Sequence, residues 1–180
     1  MKLLTYFLVA SLAVIGIGCP TRSLYPLFTE KELGSLPAIV GTWMSEKGQV
    51  YSFQKAGDKS YDVVWRDQEG EAGVYKVQLG KIGKSWFLDS SPGTKQYDYH
   101  LVRAHIISRI WLEGDSLRVA LLESDWLMKM IESGKLQIPH VVQGNDIILT
   151  ASTAELQQLV LRFTDDEGAF PKSLGLVRMK

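Results

Sequence analysis

The sequence predicts a mainly β fold: an antiparallel meander barrel of about eight or nine strands, with two helices near the C-terminal end. Three observations predict it. Short stretches in which apolar and polar residues alternate recur between residues 39 and 122, and a period of two marks a half-buried strand. Turn-forming residues separate these stretches, among them Lys47-Gly48, Asp67-Gln68-Glu69-Gly70 and Glu113-Gly114-Asp115. Apolar spacing then changes to three and four residues in two late segments, as in an amphipathic helix. A meander of this size tends to close, because closure removes unpaired strand edges.

The chain opens with Met1-Lys2 and an uncharged run from Leu3 to Gly18, closed by Gly16-Ile17-Gly18-Cys19. A membrane-spanning helix needs about 20 apolar residues. This run is shorter, and it follows the charged, apolar and small-residue order of a secretory signal. It resembles a bacterial lipoprotein signal peptide, with Gly16 standing where leucine is commoner. The resemblance implies that residues 1–18 are removed and that Cys19 carries acyl chains such as palmitate. The other readings are an ordinary signal peptide with a chance cysteine, or an uncleaved anchor. Each buried CH2 contributes about 0.8 kcal/mol, so two or three chains would hold the protein permanently. Pro20 stands where aspartate would favour the inner membrane, which implies the periplasmic face of the outer membrane. Residues 19–28, with Pro20 and Pro26, read as a tether, and residues 29–180 as one domain.

Within that domain, Thr29 to Glu32 fits a capping box, although Gly34 and Pro37 leave room for only a short helical turn. Strands are expected over Ile39 to Glu46, Gln49 to Lys55 and Ser60 to Arg66. In the third, Tyr61, Val63 and Trp65 share one side. Glu71 to Leu79 sets Tyr75, Val77 and Leu79 against Lys76 and Gln78, and Lys84 to Asp89 follows. His100 to Leu112 puts Val102, Ala104, Ile106, Ile110 and Leu112 on one face, broken by Ser108, and Arg103, His105 and Arg109 on the other. Leu117 to Leu122 completes the clearest hairpin. Ser124 is placed to cap a helix over Asp125 to Glu132, with Gly134 as its end. Asp146 to Thr150 reads as a strand. Ser152 to Glu155 is a second capping box, opening a helix that carries Leu156, Leu159, Val160 and Phe163. A short strand near Leu174 to Met179 ends the chain.

Charge narrows the function classes. The chain has 20 basic and 20 acidic side chains, and removal of Lys2 with the signal leaves 19 against 20. That balance lacks the basic footprint of a nucleic-acid partner. Cys19 is the only cysteine, so no disulfide within the chain can stabilise the domain.

Gly41-Thr42-Trp43, just after a helical turn, resembles the Gly-x-Trp motif on the first strand of lipocalins. Asp98-Tyr99 resembles that family's Thr-Asp-Tyr loop, with Tyr97 in place of threonine. The resemblance implies an eight-stranded barrel in which Trp43 plugs one end and an arginine from the end of the chain covers it. Arg162 and Arg178 both qualify.

No catalytic motif is present: there is no Gly-x-Ser-x-Gly elbow, phosphate loop or dinucleotide fingerprint. His100 and His105 fall on opposite faces of one expected strand and His140 is remote, so no metal set is expected. Asp165 to Gly168 lacks calcium-loop spacing and reads as a solvated loop. Arg103, His105 and Arg109 could receive an anionic head group, although alternation alone predicts a solvent-facing polar side. Tyr51, Phe53, Trp65 and Tyr75 point inward and, with Trp43, are the candidate ligand-binding residues. The expectation is a non-enzymatic carrier of a small amphipathic or lipid-like ligand, needing no cofactor. The alternative is an accessory module that binds another envelope protein through the helix bearing Trp126.

Overall fold

Eight strands close on themselves into an antiparallel barrel, seen in a computed structural model that describes residues 20–93, 102–144, 146–171 and 174–180. The strands are β1 Arg22–Ser23, β2 Gly41–Ser45, β3 Val50–Lys55, β4 Ser60–Arg66, β5 Ala72–Ile82, β6 Ser85–Pro92, β7 His105–Glu113, β8 Ser116–Leu121, β9 His140–Gln143, β10 Asp146–Leu149 and β11 Leu174–Arg178. The barrel runs β2 through β8 in chain order, then β11, which returns to β2. The helices are α1 Ser124–Glu132 and α2 Thr153–Arg162, and both lie between β8 and β11 in the chain. The mainly β meander barrel with late helices is therefore the fold observed. It has three strands more than the barrel needs. β10 runs parallel to β1, which pairs antiparallel with the start of β7, and β9 lies outside β10.

Alternation along the strands produces two apolar cores. Inside the barrel, Trp43, Phe53, Tyr61, Val63, Val77, Leu79, Leu88, Ile110, Leu117 and Leu176 pack together. The outward neighbours of these positions on β6 and β7, Phe87 and Ile107, join a second core with α1, α2 and β10. One wall of the barrel thus has buried apolar residues on both faces. Phe87 meets Phe170 edge to face there, with ring centroids 5.7 Å apart.

The segment expected as a tether, residues 19–28, is instead packed from residue 20 onward. Pro20 bridges to Glu123, and Thr21 N–H donates to Leu122 O at 2.9 Å. Leu27 and Phe28 are buried in the second core. Two strand residues and two prolines give no periodicity to read, so this docking is decided by tertiary contacts. Thr29 donates from both its N–H and its hydroxyl to the Glu32 carboxylate, but around a turn rather than a helix. The chain then crosses the end of the barrel, where Leu33 bridges to Gly80. A Cβ at Gly80 would lie 2.5 Å from Glu32 O, so glycine permits the crossing.

Other differences are local. The expected strand from His100 begins only at His105 among the described residues. α1 is capped by Glu123, whose carboxylate accepts from Trp126 N–H at 2.7 Å, because the Ser124 hydroxyl is engaged with Thr21. The box at Ser152 and Glu155 forms as expected. Cys19, the stretch from Tyr97 to Tyr99, and His100 lie outside the described residues.

Candidate functional site

One end of the barrel is closed from the sequence motif upward. Trp43 is fully buried, and its Nε1 donates to Ile39 O at 2.8 Å. β11 pairs with β2 so that Arg178 stands opposite Trp43. The Arg178 guanidinium lies 4.2 Å from the indole centroid, a cation–π contact, and donates to Val40 O at 2.9 Å and to Ala38 O. Of the two candidate arginines it is therefore Arg178 that covers the tryptophan. Arg162 instead lies over Phe163 at the end of α2. The glycine of the motif also has a physical role: a Cβ on Gly41 would meet Arg178 Nη1 at 2.5 Å.

Above this plug the barrel interior holds an open cavity of about 270 Å3. Tyr51 and Phe53 of β3, Trp65 of β4 and Tyr75 of β5 form part of its wall. These are four of the five residues expected to meet a ligand. The fifth, Trp43, lies outside the lining and belongs to the core beneath it. The facing wall comes from β6, β7, β8 and β11, including Ser90, Ile106, Ser108 and Leu174. Exposure shows which way the cavity faces. Val77, Leu88, Ser108 and Leu176 are buried, whereas Tyr51, Trp65, Tyr75, Ile106 and Leu174 are half-buried.

The electrostatics of this interior are neutral. None of the lining residues among those described is charged. Burial pushes the Tyr51 hydroxyl above its ordinary pKa; a weaker opposite pull comes from Trp65, and Tyr75 adds a small further rise. The phenol therefore stays a neutral hydrogen-bonding group at physiological pH. The sequence reading missed the serines of the facing wall. Their signal was the interruption that Ser108 makes in an otherwise apolar face.

The row of Arg103, His105 and Arg109 is not a solvent-facing row of free cations. His105 Nδ1 lies 2.8 Å from Asp89 Oδ1, and the other oxygen of this buried carboxylate accepts from Leu27 N–H at 2.7 Å. Arg109 donates to Thr164 O and, at 3.1 Å, to Asp165, and it stacks on Trp111. Alternation placed His105 and Arg109 outside correctly but could not show that Asp89 and the turn after α2 engage them. Arg103 is exposed and lies before the strand. A larger open cleft of about 890 Å3 includes Arg109, Trp111, Lys84 and Asp165, and runs between two hairpin turns and the end of α2. Trp126, expected as an exposed contact, is half-buried and packs edge-on to Phe163 with centroids 4.9 Å apart.

Among the described residues, no group of histidine, cysteine and carboxylate side chains is placed to hold a metal ion. No described helix is long and apolar enough to cross a membrane. No family model matches the chain, and neither a curated protein nor a solved structure shows significant similarity to it.

Proposed function

We propose that this protein is a non-enzymatic carrier that holds a small amphipathic or lipid-like molecule inside its barrel. The observation that supports the reading is a neutral, mainly apolar cavity above a sealed end, with Tyr51, Phe53, Trp65 and Tyr75 in its wall. Small-molecule sites are of this kind: concave, apolar and supplied with a few polar groups. On the sequence reading of residues 1–19, the carrier is lipid-anchored at Cys19 on the periplasmic face of the outer membrane. A hydrophobic fluorescent probe should bind at a single site. Trp65→Arg, which puts a cation into the wall, should weaken that binding at least about tenfold, or 1.4 kcal/mol, in a protein that remains folded.

A second reading, an interaction module, has its own observation. Val177, Met44 and Val50 stand abreast on the outer barrel wall, with Val177 61% and Met44 42% exposed. Exposed apolar patches mark association surfaces. Absence of saturable binding by any of several lipids and probes would leave this second reading in place of the first.

A further inference from the structure

Ser108 is 1% exposed and sits in the cavity wall between Leu88 on β6 and Leu121 on β8. Its hydroxyl makes no side-chain hydrogen bond to another described residue, and it borders the cavity. The other buried hydroxyls behave differently. Ser23 donates to Tyr25 O at 2.9 Å, Ser45 accepts from Gln49 N–H at 3.1 Å, and Thr21 and Ser124 bond each other at 3.3 Å. Buried polar groups are normally paired, and an apolar side chain of similar size would fill this wall without leaving a donor idle. Among the buried serines and threonines of the described residues, the one without such a bond is also the one in the cavity wall.

Its surroundings define what would pair with it. Ser90 lies diagonally across on β6, held only by a long 3.5 Å contact to Ile106 O. β3 is four strands from β7 in either direction round the barrel, so Tyr51 belongs to the opposite wall. Among the described residues the lining thus offers neutral hydroxyls and no cation. A carboxylate entering there would lose its water and gain no opposite charge, whereas an alcohol or carbonyl loses far less. At about 270 Å3 the cavity is near the lower limit for small-molecule sites, which suits one short chain.

We infer that the cavity selects an uncharged amphiphile with a single short chain, whose hydroxyl or carbonyl hydrogen-bonds to Ser108. This rests on the carrier reading. The test is displacement of a purely apolar fluorescent probe from the purified protein by decanol or by decanoate, at about pH 8, where a carboxylic acid is ionised. Decanol should displace the probe at a concentration at least about tenfold lower, a difference of 1.4 kcal/mol. Ser108→Ala should weaken decanol several-fold and leave the apolar probe unaffected. Two results would overturn the inference while leaving the carrier reading intact: decanoate as effective as decanol, or an unchanged decanol affinity in Ser108→Ala, which would mean that the hydroxyl is satisfied by water. Failure of the probe to bind at all would remove the carrier reading, and this inference with it.

Discussion

Trp43 joins three parts of the chain: the turn at Ile39, the first barrel strand and the last one, through Arg178. Trp43→Ala should therefore cost about 3 to 5 kcal/mol in a denaturant titration, the usual range for deleting a buried large aromatic. A loss below about 1 kcal/mol would mean that the plug contributes little more than a surface residue. Gly41-Thr42-Trp43 was legible in the sequence because its three residues are contiguous. The arginine was not, because the choice between Arg162 and Arg178 depends on β11 pairing with β2 across 130 residues of chain. The inward aromatics were legible for the opposite reason. Tyr51, Phe53, Trp65 and Tyr75 follow from strand parity alone, which is local. Ser108 stood out as an interruption, but its lack of a partner is a property of the folded wall.

At the scale of elements, α2 carries the most explicit signal in the chain. Ser152 Oγ accepts from Glu155 N–H, and Ser152 N–H donates back to the Glu155 carboxylate at 2.7 Å. Ser152→Ala should cost about 0.5 to 2 kcal/mol, the range for losing an N-cap oxygen. The hydrogen bonds from the Ser152 side chain, then from its backbone, hold the Glu155 carboxyl below its ordinary pKa of 4.5. A depressed carboxyl adds stability that is fully present above that ordinary value and is lost as pH falls through the lower folded value. Melting curves taken downward from about pH 6 should show Glu155→Gln losing less stability than the parent, since only the parent has this carboxylate to protonate. Equal losses would show that the box contributes nothing to acid sensitivity. Strands long enough to alternate were legible at this scale. β1 was not, because two residues do not make a period, and β9 was missed although β10, of equal length, was expected.

At the scale of the molecule, the expected barrel is present, and an unexpected second layer is built on its outside. Closure protects the eight barrel strands, so the open edges belong to that layer, where β9 exposes Val141 and Val142. The layer explains why Phe87 and Ile107, on the outward faces of β6 and β7, are apolar and buried. A sequence can show that a strand is apolar on both sides, but not which distant helix covers the second side. Cellular location is a property of the whole chain and has its own test. Cys19→Ser should abolish labelling by a fatty-acid analogue; a labelled serine variant would refute the lipid anchor.

The docked N-terminal segment gives that anchor a mechanical consequence. Residue 20 already bridges to Glu123, and residues 22 and 23 are strand partners of β7 and β10. If acyl chains are carried by the residue just before, there is no slack between bilayer and barrel. The domain would be moored flush against the lipid surface at a fixed attitude, unable to swing out or reorient its mouth. In that case a run of glycine and serine inserted after Cys19 would supply the missing freedom.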